Sequence, residues 1–449
     1  MKIKIVVLAA GLLLTNCLFA QKYLDEYIQI GLTKNLSIQQ QNFALEKSVY
    51  ALKEAKTLFL PRVSFMTDYF MAGGGRTVDF PVGDLLNPVY TTLNQLTGGN
   101  NFPQVTNQSI LLNPNNFYDA RFRTTLPLLN MEIAYNKRIK KDQVSMQQIE
   151  IDLFKRELAK EIKLAYYKYL QAAEAIKIYN TALDLVKESS RINSVLHAND
   201  KVNNTVIVRA KNEVSKIEAM QKTAVQNAQS AQAYFNFLLN RNLADSILMD
   251  YDYNQVAAIL PKGAAISGRE ELKKLALAGR LNKQVVGLTQ SYIIPKLNTF
   301  IDLGSQGFDG AFDEQSRYYF MGLSLKWDLF SSGANTYKIK QAQQDSKINN
   351  VQTDYVASQL QLQLVTSEHA FNAAVFNYQF NLSNFGAAQK YYQDILRLYK
   401  SGQALFIELL DAQNQLIQAE LQSNISLYET HIKAAEFERA SATLNIQSY

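Results

Sequence analysis

Only one cysteine, Cys17, occurs in the 449 residues. It lies in a leader with a basic start (Met1–Lys4), an apolar run and a small residue, Ala20, before Gln21, which is the form of an export signal. With cleavage after Ala20 the mature chain holds no thiol, which excludes disulfides, thiol catalysis and cysteine metal sites. Asn16 is too large and polar to precede a lipidated cysteine, so lipidation at Cys17 is not expected. Histidine is limited to His197, His369 and His431, and none has the spacing of a metal site. No Walker loop, no G-x-S-x-G and no H-E-x-x-H is found, so no cofactor or metal is expected and the chain does not read as an enzyme. The glycine-rich stretch 72–76 opens a loop rather than a helix. The formal net charge is only +6 and no basic cluster stands out, which excludes a nucleic-acid binder. After the leader no stretch of about 18 apolar residues occurs, so no transmembrane helix is expected.

Proline and glycine are missing from long tracts. Neither occurs between Pro127 and Pro261, and after Asn335 only Gly386 and Gly402 interrupt. Such breaker-free tracts predict very long helices. Residues 131–197 alone would make a rod of roughly 100 Å at ~1.5 Å per residue. Ile149, Leu153, Leu158, Ile162, Ala165 and Tyr169 keep the spacing of a packed helical stripe. Rods of this kind are coiled-coil-like.

Four alternating runs break the helical pattern, at 62–70, 118–126, 296–304 and 318–327. Each is near the ~9–11 residues of a transmembrane β-strand. A half-buried soluble sheet gives the same alternation, so the runs alone leave both readings open. Internal duplication adds to them. Pro61 and Pro295 lie 234 residues apart in similar surroundings, Ile139 and Ile339 lie 200 apart, and Ala210 and Ala412 lie 202 apart. The first hairpin therefore carries about 34 more residues, in the Gly/Pro/Asn-rich stretch 71–116, which reads as a long loop. The expected organisation is a leader (1–20), a first helix–hairpin–helix repeat (21–240), a joining equatorial segment (241–270) and a second repeat (271–449).

Four strands cannot close a barrel, and open strand edges are not tolerated in lipid. If these are membrane strands, several chains must associate to close the sheet. The helices, rich in Gln, Asn, Ser and Thr, would then continue as a water-filled tube. Pro61, Pro127, Pro295 and Gly333 are the expected strand–helix transitions, because proline ends one regularity where another begins. Tyr318, Tyr319 and Trp327 suit the aromatic girdle of a barrel.

The layout resembles the TolC-like outer membrane efflux proteins. The residues that carry the resemblance are "YLDEYIQIGLTKNLSIQQQ" (23–41), the Leu60-Pro61 step, "WDLFSSGANTYKIKQAQ" (327–343) and "YKSGQALFIELLDAQNQLIQAELQ" (399–422). The resemblance implies a mainly α fold with a membrane β portion. In it a homotrimer shares one twelve-stranded barrel in the outer membrane lipid, and the helices form a periplasmic α-barrel. It implies a periplasmic adaptor and an inner-membrane pump of the resistance-nodulation, ABC or major-facilitator type as partners. Glu408 and Asp411, three apart on one helix face, match the family's acidic residues at the periplasmic entrance. In a trimer they would form two stacked rings that bind cations. The helix-turn tips, Asp200 in the first repeat and Ser401-Gly402 in the second, would dock the adaptor. Val206 and Arg209 stand in the first repeat where Glu408 and Asp411 stand in the second. Tyr399 matches a family tyrosine able to hydrogen-bond a neighbouring helix. Ala404 stands where an arginine sometimes ties the closed state.

Two other readings compete with this one. The first is an exported coiled-coil scaffold or adaptor without a pore. The second is an exported enzyme using Glu408 and Asp411 as an acid/base pair, although nothing else in the sequence builds a substrate pocket around them.

Overall fold

The computed structural model describes residues 22–249 and 265–446. The expected leader with Cys17, and the middle of the expected joining segment with Pro261, lie outside the described residues. Two short helices, α1 (Lys22–Lys34) and α2 (Leu36–Thr57), lead into strand β1 (Arg62–Phe70). A short strand β2 (Thr77–Phe80), helix α3 (Val82–Thr97) and strand β3 (Gln108–Leu111) follow, then β4 (Phe117–Leu129). The 68-residue α4 (Met131–Ala198) turns into the 35-residue α5 (Asn204–Leu238). The second half runs α6 (Glu270–Gln290), β5 (Lys296–Phe308), β6 (Arg317–Lys326), the 67-residue α7 (Ala334–Lys400) and the 36-residue α8 (Phe406–Ser441). The long helices occupy the breaker-free tracts. No described helix is long and apolar enough to cross a membrane.

The chain divides into two compact units. One comprises the stretch up to Val49, Lys141–Lys283 and the chain from Gln344 on; the other comprises Tyr50–Lys140 and Gln284–Gln343.

The first unit is helical. Its largest core is built where α1, α4, α5 and α8 meet, with Leu24, Ile28, Ile162, Tyr166 and Phe235 almost fully buried. Gly31 makes that meeting possible: a Cβ there would sit 2.3 Å from Cδ1 of Ile162. Smaller cores follow along the helices, one around Ala182, Val186, Ile217 and Ile417, another around Tyr392, Phe406, Leu409 and Ala412. Alanines at these contacts let long helices approach closely, in place of the larger side chains of a globular core.

The second unit holds a four-stranded sheet in the order β1-β4-β5-β6, antiparallel throughout. Pro61 and Pro295 immediately precede β1 and β5, and Gly333, at φ +81°, immediately precedes α7. Pro127 differs from the expected transition: it lies inside β4, next to a register shift between Pro127 and Leu129. Proline has no ladder donor, and a bulge is where a strand tolerates that loss. The helix switch falls three residues on, at Asn130, whose side-chain Oδ1 accepts from the N–H of Glu132 at 3.0 Å and starts α4.

The stretch 71–116 also differs from the expected long loop. It contains α3 and the β2–β3 pair. Side-chain amides supply what the backbone pattern lacks. Asn87 accepts from the Val105 N–H at 2.8 Å and donates to the Val105 carbonyl at 2.9 Å. Asn94 does the same with Phe102 at 3.0 and 2.8 Å. These amides pair residues that stand 18 and 8 positions apart, so local composition does not reveal them.

Candidate functional site

The sheet has two chemically different faces, set by the period-two alternation of its strands. In one row Phe65, Phe122, Leu303 and Tyr319 stand opposite one another across all four strands. The next row on that face is Val63, Thr124, Ile301 and Met321. Most of these apolar side chains are open to solvent: Val63 is 64%, Leu303 57%, Tyr319 73% and Met321 63% exposed. An exposed apolar face of this extent marks a surface meant for lipid or protein. On the other face Arg123 makes a bidentate pair with Asp302 at 2.7 and 2.6 Å. Arg121 bridges Asp119 and Asp68, and the Tyr318 hydroxyl donates to Asp119 at 2.7 Å.

That last bond separates the three expected girdle aromatics. Tyr319 lies on the apolar face, and Trp327, just past the end of β6, is 52% exposed. Tyr318 lies on the charged face instead, because adjacent strand residues point to opposite sides.

The two outer strands, β1 and β6, each have one edge without a partner among the described residues. Since all neighbours are antiparallel, β1 and β6 run in opposite directions. A copy of the sheet placed beside the first by rotation would thus meet it antiparallel, and the ladder would continue without a break.

In the helical unit the two helix turns share one backbone motif. Asp200 has φ +57° and Gly402 φ +78°, both left-handed. In each turn the residue after it donates to a carbonyl five back: Lys201 to Leu196 at 2.9 Å, and Gln403 to Leu398 at 2.8 Å. This is a Schellman cap, and Asp is among the few residues that take the glycine place in one. Asn203 then caps α5 by accepting from Val206 N–H at 3.3 Å.

Glu408 and Asp411 are both exposed on α8, while Leu409 and Ala412 between and beside them are buried. Glu408 already serves its own helix, because its carboxylate accepts the Leu405 N–H at 2.7 Å and ties down the start of α8. Asp411 accepts from the Gln415 side chain at 2.7 Å. Tyr399 is 6% exposed, packs against Phe406 with ring centroids 6.2 Å apart, and donates its hydroxyl to Asn193 of α4. Burial pushes its phenol pKa upward. Asn193 is fully buried, so Tyr399→Phe strands its acceptor at a cost of about 1–3 kcal/mol. The expected result is faster amide exchange in residues 190–200 and 399–406 by hydrogen-exchange mass spectrometry, with the rest of the chain unchanged.

What sequence reasoning did not find is a buried ionic cluster where α4, the start of α6 and the end of α8 meet. Arg156 binds Glu270 through two bonds of 2.9 and 2.8 Å, with both side chains under 8% exposed. Arg439 binds Glu157 at 3.0 Å and Glu271 at 2.9 Å, and Glu271 also accepts from Arg269 at 3.0 and 2.8 Å. The only local signal was "RE" followed by "E" at 269–271, which is common on exposed helix starts.

Comparison with known proteins agrees with this architecture. The family model described as outer membrane efflux protein matches residues 263–442. No curated protein matches the chain in sequence. Among solved structures, the CusC transmembrane channel superposes with a TM-score of 0.77 at 11% identity, covering 94% of this chain and 92% of that one. The open-state MtrE outer membrane channel of Neisseria gonorrhoeae gives 0.74 at 15% identity, covering 93% and 88%. VceC of Vibrio cholerae gives 0.73 at 12% identity, covering 94% and 98%. The fold is therefore that of the TolC-like outer membrane channels. The match to the outer membrane efflux protein model covers the second repeat, and the likeness in fold covers nearly the whole chain.

Proposed function

We propose that the protein is the outer membrane exit duct of a tripartite efflux or type I secretion system. It would conduct passively what an inner-membrane pump and a periplasmic adaptor deliver. The observation that carries this reading is the sheet with one apolar exposed face, one charged face and two antiparallel edges that no described residue pairs. Such a sheet satisfies its backbone in lipid only when copies close it. Three copies of four strands make a twelve-stranded barrel with Phe122 and Leu303 toward lipid and Arg123 and Asp302 toward the lumen. The leader ending at Ala20 supplies the export step.

A second feature favours copies. Along α7, Ile348, Val351, Tyr355, Leu362, Phe376 and Phe380 are each more than 60% exposed in the single chain, at heptad-like spacing. On α2, Leu36 and Phe43 are exposed seven residues apart. Two different exposed stripes fit a head-to-tail ring, in which one surface of each copy meets another surface of the next. Heat-modifiable trimers in outer-membrane fractions and pores in planar bilayers test the duct. A soluble periplasmic monomer would overturn it in favour of the scaffold.

In this reading Glu408 and Asp411 form the acidic collar of the periplasmic entrance, and Asp200, Ser401 and Gly402 are the tips that meet the adaptor. The Tyr399–Asn193 bond helps hold those tips closed. The double variant Glu408→Gln/Asp411→Asn is expected to relieve divalent-cation block of single-channel current and to weaken cation selectivity. The amide introduced by Glu408→Gln keeps an oxygen for the Leu405 N–H, so the cap survives. Unchanged block and selectivity in that variant would show that no collar is formed.

A further inference from the structure

Elsewhere in the helical unit, faces of α4, α7 and α8 surround a cavity of about 370 Å³. Its walls are mixed: Tyr378 and Phe385 from α7 and Leu427 from α8 supply apolar and aromatic surface, and Lys177 and Ser423 are among the polar residues beside them. Two carboxylates also line it, Glu174 of α4 and Glu420 of α8. They are not equivalent. Glu174 accepts from Lys177 at 2.6 Å. Glu420 is half-buried and has neither an ion pair nor a hydrogen bond among the described residues. Burial, and after it the nearby charge of Glu174, push its pKa upward.

One helical turn on, Asn424 lines the same cavity at 7% exposure. Its amide donates to the Gln171 carbonyl at 3.0 Å, and its Oδ1 has no partner. Residues four apart share a helix face, so the Glu420 carboxylate and the Asn424 oxygen are neighbours. A buried acceptor left unpaired destabilises the fold, and an unpaired half-buried carboxylate adds to that. Two acceptor oxygens that no described residue pairs, set beside the rings of Tyr378 and Phe385 while Lys177 is engaged by Glu174, complement one chemical class: a cation with N–H groups and an apolar body.

We propose that this cavity binds a lipophilic ammonium ion, whose N–H groups donate to Glu420 and Asn424 and whose apolar part packs on Tyr378 and Phe385. The site lies within one chain, so it stands whether or not the pore reading does. A quaternary ammonium lacks the donors and binds more weakly.

Equilibrium dialysis of radiolabelled 2-phenylethylamine against the purified full-length protein in detergent tests this. One saturable site per chain is expected at neutral pH. Glu420→Gln is expected to weaken it at least tenfold while leaving the far-ultraviolet circular dichroism and melting midpoint in place. Ethylamine, which has the charge without the ring, is expected to compete at least tenfold less well. No saturable binding to the native protein overturns the proposal, as does unchanged affinity in the variant. So does equal competition by ethylamine. Should the variant's melting midpoint move, the amine competition series on the native protein decides alone. A basic side chain of a neighbouring copy filling the cavity would appear as absent binding together with loss of trimer in Glu420→Gln.

Discussion

Phe122→Arg is expected to abolish the heat-modifiable trimer and planar-bilayer conductance, whereas Ser324→Arg is expected to keep both. Phe122 sits in the row of four residues at the middle of the apolar face, 55% exposed, its ring 5.0 Å from that of Phe65. If that face meets lipid, an arginine there costs about 2–4 kcal/mol at the bilayer midplane, and the cost recurs in every copy of a closed barrel. Ser324 lies on the opposite face of the same sheet. If the barrel closes as proposed, an added arginine on that face would change the charge of its lumen without entering lipid, so the expected change is a shift of selectivity toward anions. Phe122→Arg inserting as well as the native chain would show that the apolar face is covered by protein instead. The contrast between the two variants, and not the loss in one, identifies which face is wet.

Arg156→Ala is expected to cost about 3–5 kcal/mol. Removing this guanidinium leaves Glu270 charged and buried, and also frees the Leu444 carbonyl it binds at 2.7 Å. The double variant Arg156→Met/Glu270→Leu removes both charges with similar volume and is expected to recover most of the loss. Thermal melts of the four corners of that cycle measure the coupling.

The neighbouring carboxylate makes the same cluster acid-sensitive. Burial alone would raise the Glu271 pKa, but the Arg269 hydrogen bonds, the helix-start backbone and Arg439 outweigh it and lower the value to about 2. A carboxylate held lower in the folded state than in the unfolded one stabilises the fold at neutral pH. That stabilisation is lost as pH falls from the ordinary range near 4.5 toward 2. The shift corresponds to about 3 kcal/mol. Melting midpoints of the native protein are thus expected to drop over that window, and Glu271→Gln is expected to flatten the drop.

Much of the architecture is legible because it rests on local rules. Helix α4 follows from the absence of proline and glycine, α7 from a proline-free tract with only Gly386 inside it, and β1, β4, β5 and β6 from period-two alternation. The Schellman cap at Asp200 shows how the repeat is read through divergence: aspartate takes the left-handed corner that glycine takes at Gly402. The stretch 71–116 was illegible because its order comes from Asn87 and Asn94 bonding to residues across a loop. The separation of Tyr318 from Tyr319 follows from alternation, and grouping both as girdle residues set that rule aside. The role of Glu408 at the cap of its own helix needed the geometry of the turn, because an acid three residues after a helix start fits both a cap and a collar.

By itself the sequence determined the rods and the strands, because missing breakers and period-two alternation are local signals. Only the tertiary structure decided what those elements bring together. It set Arg156 against Glu270, 114 positions away, and joined Arg439 to Glu157 across 282. It left the Glu420 carboxylate and the Asn424 Oδ1 facing a cavity with no partner among the described residues. Charges so far apart in the chain carry no periodic signal, because their pairing depends on how three helices cross and not on the spacing along any one of them.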